Sequence, residues 1–142
     1  MTGHVASDPD YEARIRTSFA RQRIMTTLGA DLGEVRPGHV TVILPVADHI
    51  SQQHGFVHGG VLSYLADNAL TFAGGSVLGD SVTAEYKINY LRPAKDAERL
   101  LAVATVVGSG KTQAVCRCDV FMLRGEERTL CAAAQGTIRK AG

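Results

Sequence analysis

Four strand-like stretches follow a single long helical stretch, and that helix alone is available to cover the sheet they would form. SVTAEYKINYL alternates cleanly, the mark of a strand with one buried face, and ERLLAVATVVG, TQAVCRCDVFML and RTLCAAAQGTI complete the set. RPAKD, GSGK and RGEE separate them as turns. In the first stretch Val82, Ala84, Tyr86, Ile88 and Tyr90 take one side, and Thr83, Glu85, Lys87 and Asn89 the other. Upstream, residues 31–46 read as one or two strands, with Val40, Val42, Leu44 and Val46 alternating with His39, Thr41 and Ile43. Pro45 marks an edge or a strand end. The long helix is expected from about Gly60 to Val77, stopped by Gly74, Gly75 and Gly79. Helix, strands, one long helix and then an antiparallel meander describe an α+β protein.

An N-terminal helix is expected over about residues 8–28, where Tyr11, Ile15, Phe19, Gln22, Met25 and Leu28 form a stripe. Asp8 is placed to cap it, Pro9 to occupy its first position and Gly29 to end it. At 142 residues the chain fits one domain, residues 1–142, with a core over about 30–138 and no linker or repeat to divide it. There is no room for a separate cofactor domain. A net charge of +1 sets nucleic acid aside as a partner. Apolar runs fall far short of the ~20 residues of a membrane span, so no membrane association is expected. The start, MTGHVASDPDYEARIR, lacks the layout of a secretory signal, and the expectation is a soluble, cytoplasmic protein.

Three cysteines, an odd number, argue against a disulfide framework. Cys116 and Cys118 alternate with Arg117 and Asp119, so they share an apolar strand face with Ala114, Val120 and Met122. They read as buried, inert thiols rather than metal ligands.

The long helix begins in HGFVHGG, residues 54–60. On a helical wheel Val61, Leu62, Leu65, Ala66, Ala69, Leu70, Phe72 and Ala73 fall in one arc that packs on the sheet. Ser63, Asp67 and Thr71 form a polar line on the other side, either a solvated face or the carboxylate of a site, with Asn68 solvated beside it. Gly59 and Gly60 allow backbone angles and close approaches that a side chain would block. They either redirect the chain or hold open helix-start N–H groups, which can polarise a carbonyl. A metal at His54 and His58 is disfavoured, because the glycines oppose a helix across them and no HExxH pattern follows. GSGKT at 108–112 lacks the strand and helix of a phosphate loop and reads as a hairpin turn on which a phosphate could rest.

With G-x-V-H-G-G at 55–60, L-A-D at 65–67, INYLRPA at 88–94 and GKT at 110–112, the chain resembles the hotdog-fold acyl-CoA thioesterases. The resemblance is to the PaaI-like group that includes the 4-hydroxybenzoyl-CoA thioesterases. It implies an antiparallel sheet of five or six strands wrapped around one long central helix, with the N-terminal helix as an addition. It also implies a homodimer, and commonly a homotetramer as a dimer of dimers, with the active site between subunits. The activity implied is hydrolysis of an aryl- or medium/long-chain acyl-CoA to free acid and CoA, with no cofactor and no metal. Carried over by position, the Gly59 N–H polarises the thioester carbonyl. Asp67 of the opposing subunit is the catalytic carboxylate, as general base or as nucleophile. His58 fixes the turn, Gln52 holds the carbonyl or water, and Thr71 positions the water. The chain combines the Asp of one branch of the family with the Gln of another. Substrate and CoA contacts map to Gly60, Thr83, Glu85, Tyr90, Arg92, Pro93, Ser109, Gly110, Lys111 and Thr112, with Arg92 and Lys111 as the phosphate partners. Phe56, Leu62, Tyr64 and the N-terminal helix could line the acyl pocket.

Two other readings stay open. Hotdog-fold hydratase or dehydratase chemistry needs a His paired with an acid. His58 and Asp67 are available, but the Asp-x-x-x-x-His pattern of such enzymes is missing. A non-catalytic acyl-CoA-binding module is the other, although no appended DNA-binding helix pair is present.

Overall fold

The computed structural model describes residues 3–142. Its elements are α1 (Tyr11–Arg21), α2 (Arg23–Leu28), β1 (Asp31–Arg36), β2 (His39–Pro45), α3 (Gly59–Leu78), β3 (Ser81–Tyr90), β4 (Arg99–Ser109), β5 (Gln113–Arg124) and β6 (Glu127–Lys140). The strands form one six-stranded sheet in the order β1-β2-β4-β5-β6-β3, with every pair antiparallel. This order corrects the expected meander. Only β4, β5 and β6 run as one, and RPAKD is a crossover rather than a hairpin, because β3 pairs with β6 at the far edge.

α3 is the axis on which the sheet curls. Its 20 residues span about 30 Å. Leu65, Ala66, Ala69, Leu70 and Ala73 are fully buried, facing Val40, Val42, Leu44, Leu100, Ala102 and Val120 of the strands. Small side chains let the sheet come close. At Gly74 a Cβ would lie 2.7 Å from Ile138 of β6. Gly74 and Gly75 therefore do not stop the helix, as their sequence suggested. Gly74 serves close packing within it, and Gly79, at φ 97°, ends it.

The N-terminal helix is broken rather than continuous. Gln22 is extended at ψ 111°, separating α1 from α2. Asp8 and Pro9 lie before the first turn, where the Asp8 carboxylate accepts the Asp10 N–H at 3.0 Å, and Gly29 ends α2 in the left-handed conformation. The expected stripe holds across the break, with Ile15, Phe19 and Met25 buried. α1 and α2 run antiparallel to α3 along the side the sheet leaves open. The Arg14 guanidinium donates to the Gly75 carbonyl, the Phe19 and Phe72 rings sit 5.8 Å apart, and the Tyr64 hydroxyl donates to the Met25 sulfur at 2.6 Å.

β3 does not alternate through its length. The register shifts between Thr83 and Glu85, so Thr83 faces α3 together with Tyr86 and Ile88, while Val82, Ala84 and Glu85 are exposed. A bulge adds one residue and reverses the sides beyond it. Cys116, Cys118 and Cys131 are buried and unpaired, and burial pushes the thiols of Cys116 and Cys118 up to about 12. Among the described residues no helix is long and apolar enough to cross a membrane.

Candidate functional site

The loop before α3 is stitched to the crossover after β3. Val57 N–H donates to the Ala94 carbonyl, His58 N–H to the Ile50 carbonyl, and Gln52 N–H to the Phe56 carbonyl. His58 is the N-cap of α3, and its Nδ1 accepts the Gly60 N–H at 2.8 Å. An acceptor Nδ1 is unprotonated, so the imidazole acts here as a cap. The Gly60 N–H is thereby engaged within the chain. The Gly59 N–H, by contrast, has no partner among the described residues. Neither glycine has a positive φ. The close approach explains Gly60, where a Cβ would lie 2.9 Å from His58 Nδ1.

A shallow groove of about 320 Å³ opens beside this helix start, lined by Gln52, Phe56, Gly59, Leu62, Tyr90, Arg92 and Pro93. The Gln52 carboxamide oxygen accepts the His54 N–H, which leaves its NH2 group available. Tyr90 donates its hydroxyl to the Gly59 carbonyl at 3.1 Å, and a Cβ at Gly59 would lie 3.6 Å from its ring. The structure thus ties Tyr90 to the helix start itself.

The polar line of α3 is not a solvated face. Thr83 donates to Asp67 Oδ1 at 2.5 Å, and Thr71 Oγ1 lies 2.7 Å from Thr83 Oγ1 and 2.8 Å from the Asp67 carbonyl oxygen. Ser63 is hydrogen-bonded to the Tyr86 hydroxyl. Asn68 is half-buried and donates to the Tyr64 carbonyl, so it is not simply solvated. The bulge in β3 makes the Asp67 cluster, because without it Thr83 would point away. Tyr86 is the partner that sequence reasoning missed, and its only signal was its place on the alternating strand.

The expected contacts divide into three places. Gln52, Gly59, Tyr90, Arg92 and Pro93 meet at the groove, while Asp67, Thr71 and Thr83 meet at mid-helix. Ser109, Gly110, Lys111 and Thr112 form the β4–β5 turn, where the Gly110 N–H donates to the Gln113 carbonyl. That turn adjoins Lys140, which pairs with Ser81, so it lies at the opposite end of β3 from Tyr90, about 30 Å away. Glu85 is exposed at the bulge, apart from all three. Within one chain the groove, the carboxylate and the turn do not converge. Gly59 and Asp67 are themselves about 12 Å apart along the helix. Among the described residues no group of three or more His, Cys, Asp or Glu could hold a metal ion.

The sequence profile of the Thioesterase superfamily matches residues 54–129, from HGFVHGG into β6. A protein of Deinococcus radiodurans named "Putative esterase" is 34% identical over 113 residues, covering 80% of this chain and 75% of that protein. The acyl-coenzyme A thioesterase PaaI of Escherichia coli is 30% identical over 103 residues, 72% of each chain. The crystal structure of a thioesterase family protein from Silicibacter pomeroyi superposes with a TM-score of 0.88 at 35% identity, covering 93% of this chain and 99% of that one.

Proposed function

Because the chain belongs to the thioesterase superfamily, with the hotdog fold of its PaaI-like members, and is a thioester hydrolase, we propose that it hydrolyses acyl-CoA thioesters at a site shared by two subunits, with Asp67 of one facing Gly59 of the other. The observation that carries this reading is the Asp67 carboxylate. It is half-buried on α3 and oriented through Oδ1 by Thr83, so that Oδ2 is left for the reaction. The free Gly59 N–H is the matching electrophilic element, aided by the positive end of the α3 dipole.

Their ~12 Å separation within one chain is too great for one carbonyl to meet both. β3 supports the second subunit, because it is an edge strand whose outer side exposes Val82 and Tyr90, with Leu91 just beyond. Antiparallel pairing of β3 with its copy would set the start of one α3 beside the middle of the other. The β4–β5 turn with Lys111 would also approach the partner's groove and Arg92, joining the two cations proposed for the CoA phosphates.

In the reaction, water adds to the thioester carbonyl carbon while Asp67 takes its proton, and the oxyanion accepts the Gly59 N–H. Collapse breaks the C–S bond and releases the thiolate of CoA, which receives that proton. Direct attack by Oδ2, forming a mixed anhydride that water then cleaves, uses the same atoms.

The test is thiol release from short, medium, long and aryl acyl-CoAs by the wild type, Asp67→Asn and Asp67→Ala. Wild-type release with loss of about a hundredfold or more in both variants is expected for a general base or nucleophile. Undiminished activity in Asp67→Asn would remove the assignment, and no release from any substrate would sink the activity.

A further inference from the structure

A cavity of about 730 Å³ lies between α1 and the second half of α3. Its α1 wall is the stripe Arg14, Thr17, Ser18 and Arg21, next to the apolar stripe of Ile15 and Phe19 that packs inward. Its α3 wall is Thr71 and Phe72, with Gly75 leaving open space, since a Cβ there would meet only Ser81 Oγ at 4.0 Å. Thr71 joins the cavity to Asp67 through the Thr83 hydrogen bond.

The antiparallel packing sets the level of each charge. Arg14 sits at Gly75, Phe19 at Phe72 and Met25 at Tyr64, so Arg21 comes level with the turn of α3 that runs from Asp67 to Thr71. The charge of Arg14 is already matched, since its guanidinium donates through Nη2 to Ser7, Asp8 and Gly75 and pairs with Asp80 at 3.6 Å, although its buried Nε has no partner among the described residues. Arg21 makes no hydrogen bond or ion pair among the described residues. The end of the cavity nearest the candidate carboxylate therefore holds a cation without an acid. Its walls mix the polar groups of Thr17, Ser18 and Thr71 with apolar surface from Ala13, Ile15 and Phe72.

We propose that this cavity receives the acyl group of the substrate and that Arg21 selects short acyl chains ending in a carboxylate, the mono-CoA thioesters of dicarboxylic acids. This rests on Asp67 as the reacting carboxylate. It narrows the aryl or alkyl classes implied by resemblance to one that a guanidinium would bind by charge-assisted hydrogen bonds. A CoA phosphate is the other anion that could meet Arg21, and the choice of substrates separates the two.

Glutaryl-CoA and hexanoyl-CoA have acyl chains of matched length and differ in the terminal carboxylate. The wild type is expected to favour glutaryl-CoA in kcat/KM. Arg21→Gln is expected to lower the glutaryl-to-hexanoyl ratio about tenfold or more, the scale of one charge-assisted hydrogen bond, and Arg21→Lys to restore part of it. Melting curves of both variants should match the wild type, because Arg21 is exposed. An equal fall on both substrates would assign Arg21 to a CoA phosphate and overturn the proposal, and an unchanged ratio would overturn it as well. Release from other acyl-CoAs but not from glutaryl-CoA would overturn the proposal, and if the wild type releases thiol from no acyl-CoA at all, the hydrolytic reading fails on its own. Equilibrium binding of the two thioesters to wild type and Arg21→Gln then still decides the cavity: a preference for glutaryl-CoA that the variant loses supports it, and equal binding refutes it.

Discussion

Gly74 and Gly75 are neighbours on α3, yet alanine should act on them with opposite signs. Any Gly→Ala change inside a helix gains up to ~1 kcal/mol from backbone entropy. At Gly75 the new methyl would meet only Ser81 Oγ at 4.0 Å, ordinary contact, so the gain should survive as about 0.5–1 kcal/mol. At Gly74 it would lie 2.7 Å from both Cβ and Cγ2 of Ile138, against the 3.5–4.0 Å at which carbons pack. Ile138 is fully buried and branched at the atom struck, so it cannot swing away, and helix and strand must part by most of an ångström. Overpacking of this kind costs ~1–3 kcal/mol. The clash outweighs the entropy gain, leaving Gly74→Ala about 1–2 kcal/mol less stable. Urea unfolding at one fixed protein concentration reads both values, since subunit association would make the midpoint concentration-dependent. A Gly74→Ala midpoint at or above the wild type, or a Gly75→Ala midpoint well below it, would refute the packing argument.

Tyr90→Phe removes the hydrogen bond to the Gly59 carbonyl. If Tyr90 orients the helix start, steady-state kinetics should show kcat falling about three- to tenfold with KM little changed, whereas a CoA contact would raise KM instead. His39 on β2 has its pKa held below 6.5, first by burial and then by the nearby Arg36. The unfolded chain therefore binds that proton more readily than the folded one. Its contribution to stability is present above pH 6.5 and lost as pH falls through that value toward the lower folded one. Urea midpoints of wild type and His39→Gln should converge or cross as pH drops from neutrality, and parallel curves would contradict this.

What the sequence determined was local and periodic. Alternation or an apolar run bounded by turn residues found each strand from Val40 to Ile138. The stripe through Ile15, Phe19 and Met25 found the N-terminal helix, though not its break at Gln22, where the same spacing continues across an extended residue. HGFVHGG located the start of α3 to within a residue, while the cap that His58 Nδ1 makes on the Gly60 N–H emerged only in the structure. The alternation of Cys116 and Cys118 with Arg117 and Asp119 sufficed to bury the thiols.

The site needed tertiary structure. Asp67 and Thr83 are joined only because a single extra residue in β3 reverses the side on which Thr83 points, and a bulge leaves no mark on composition or period. The placement of β3 beside β6 came from pairing across the whole chain, which separated the 109–112 turn from Arg92 and left an open edge. Arg21 reads as an ordinary surface charge until the antiparallel packing of α1 on α3 brings it level with Asp67. Turns, caps and periods depend on neighbours in sequence, whereas register, edges and helix levels depend on which distant surfaces meet.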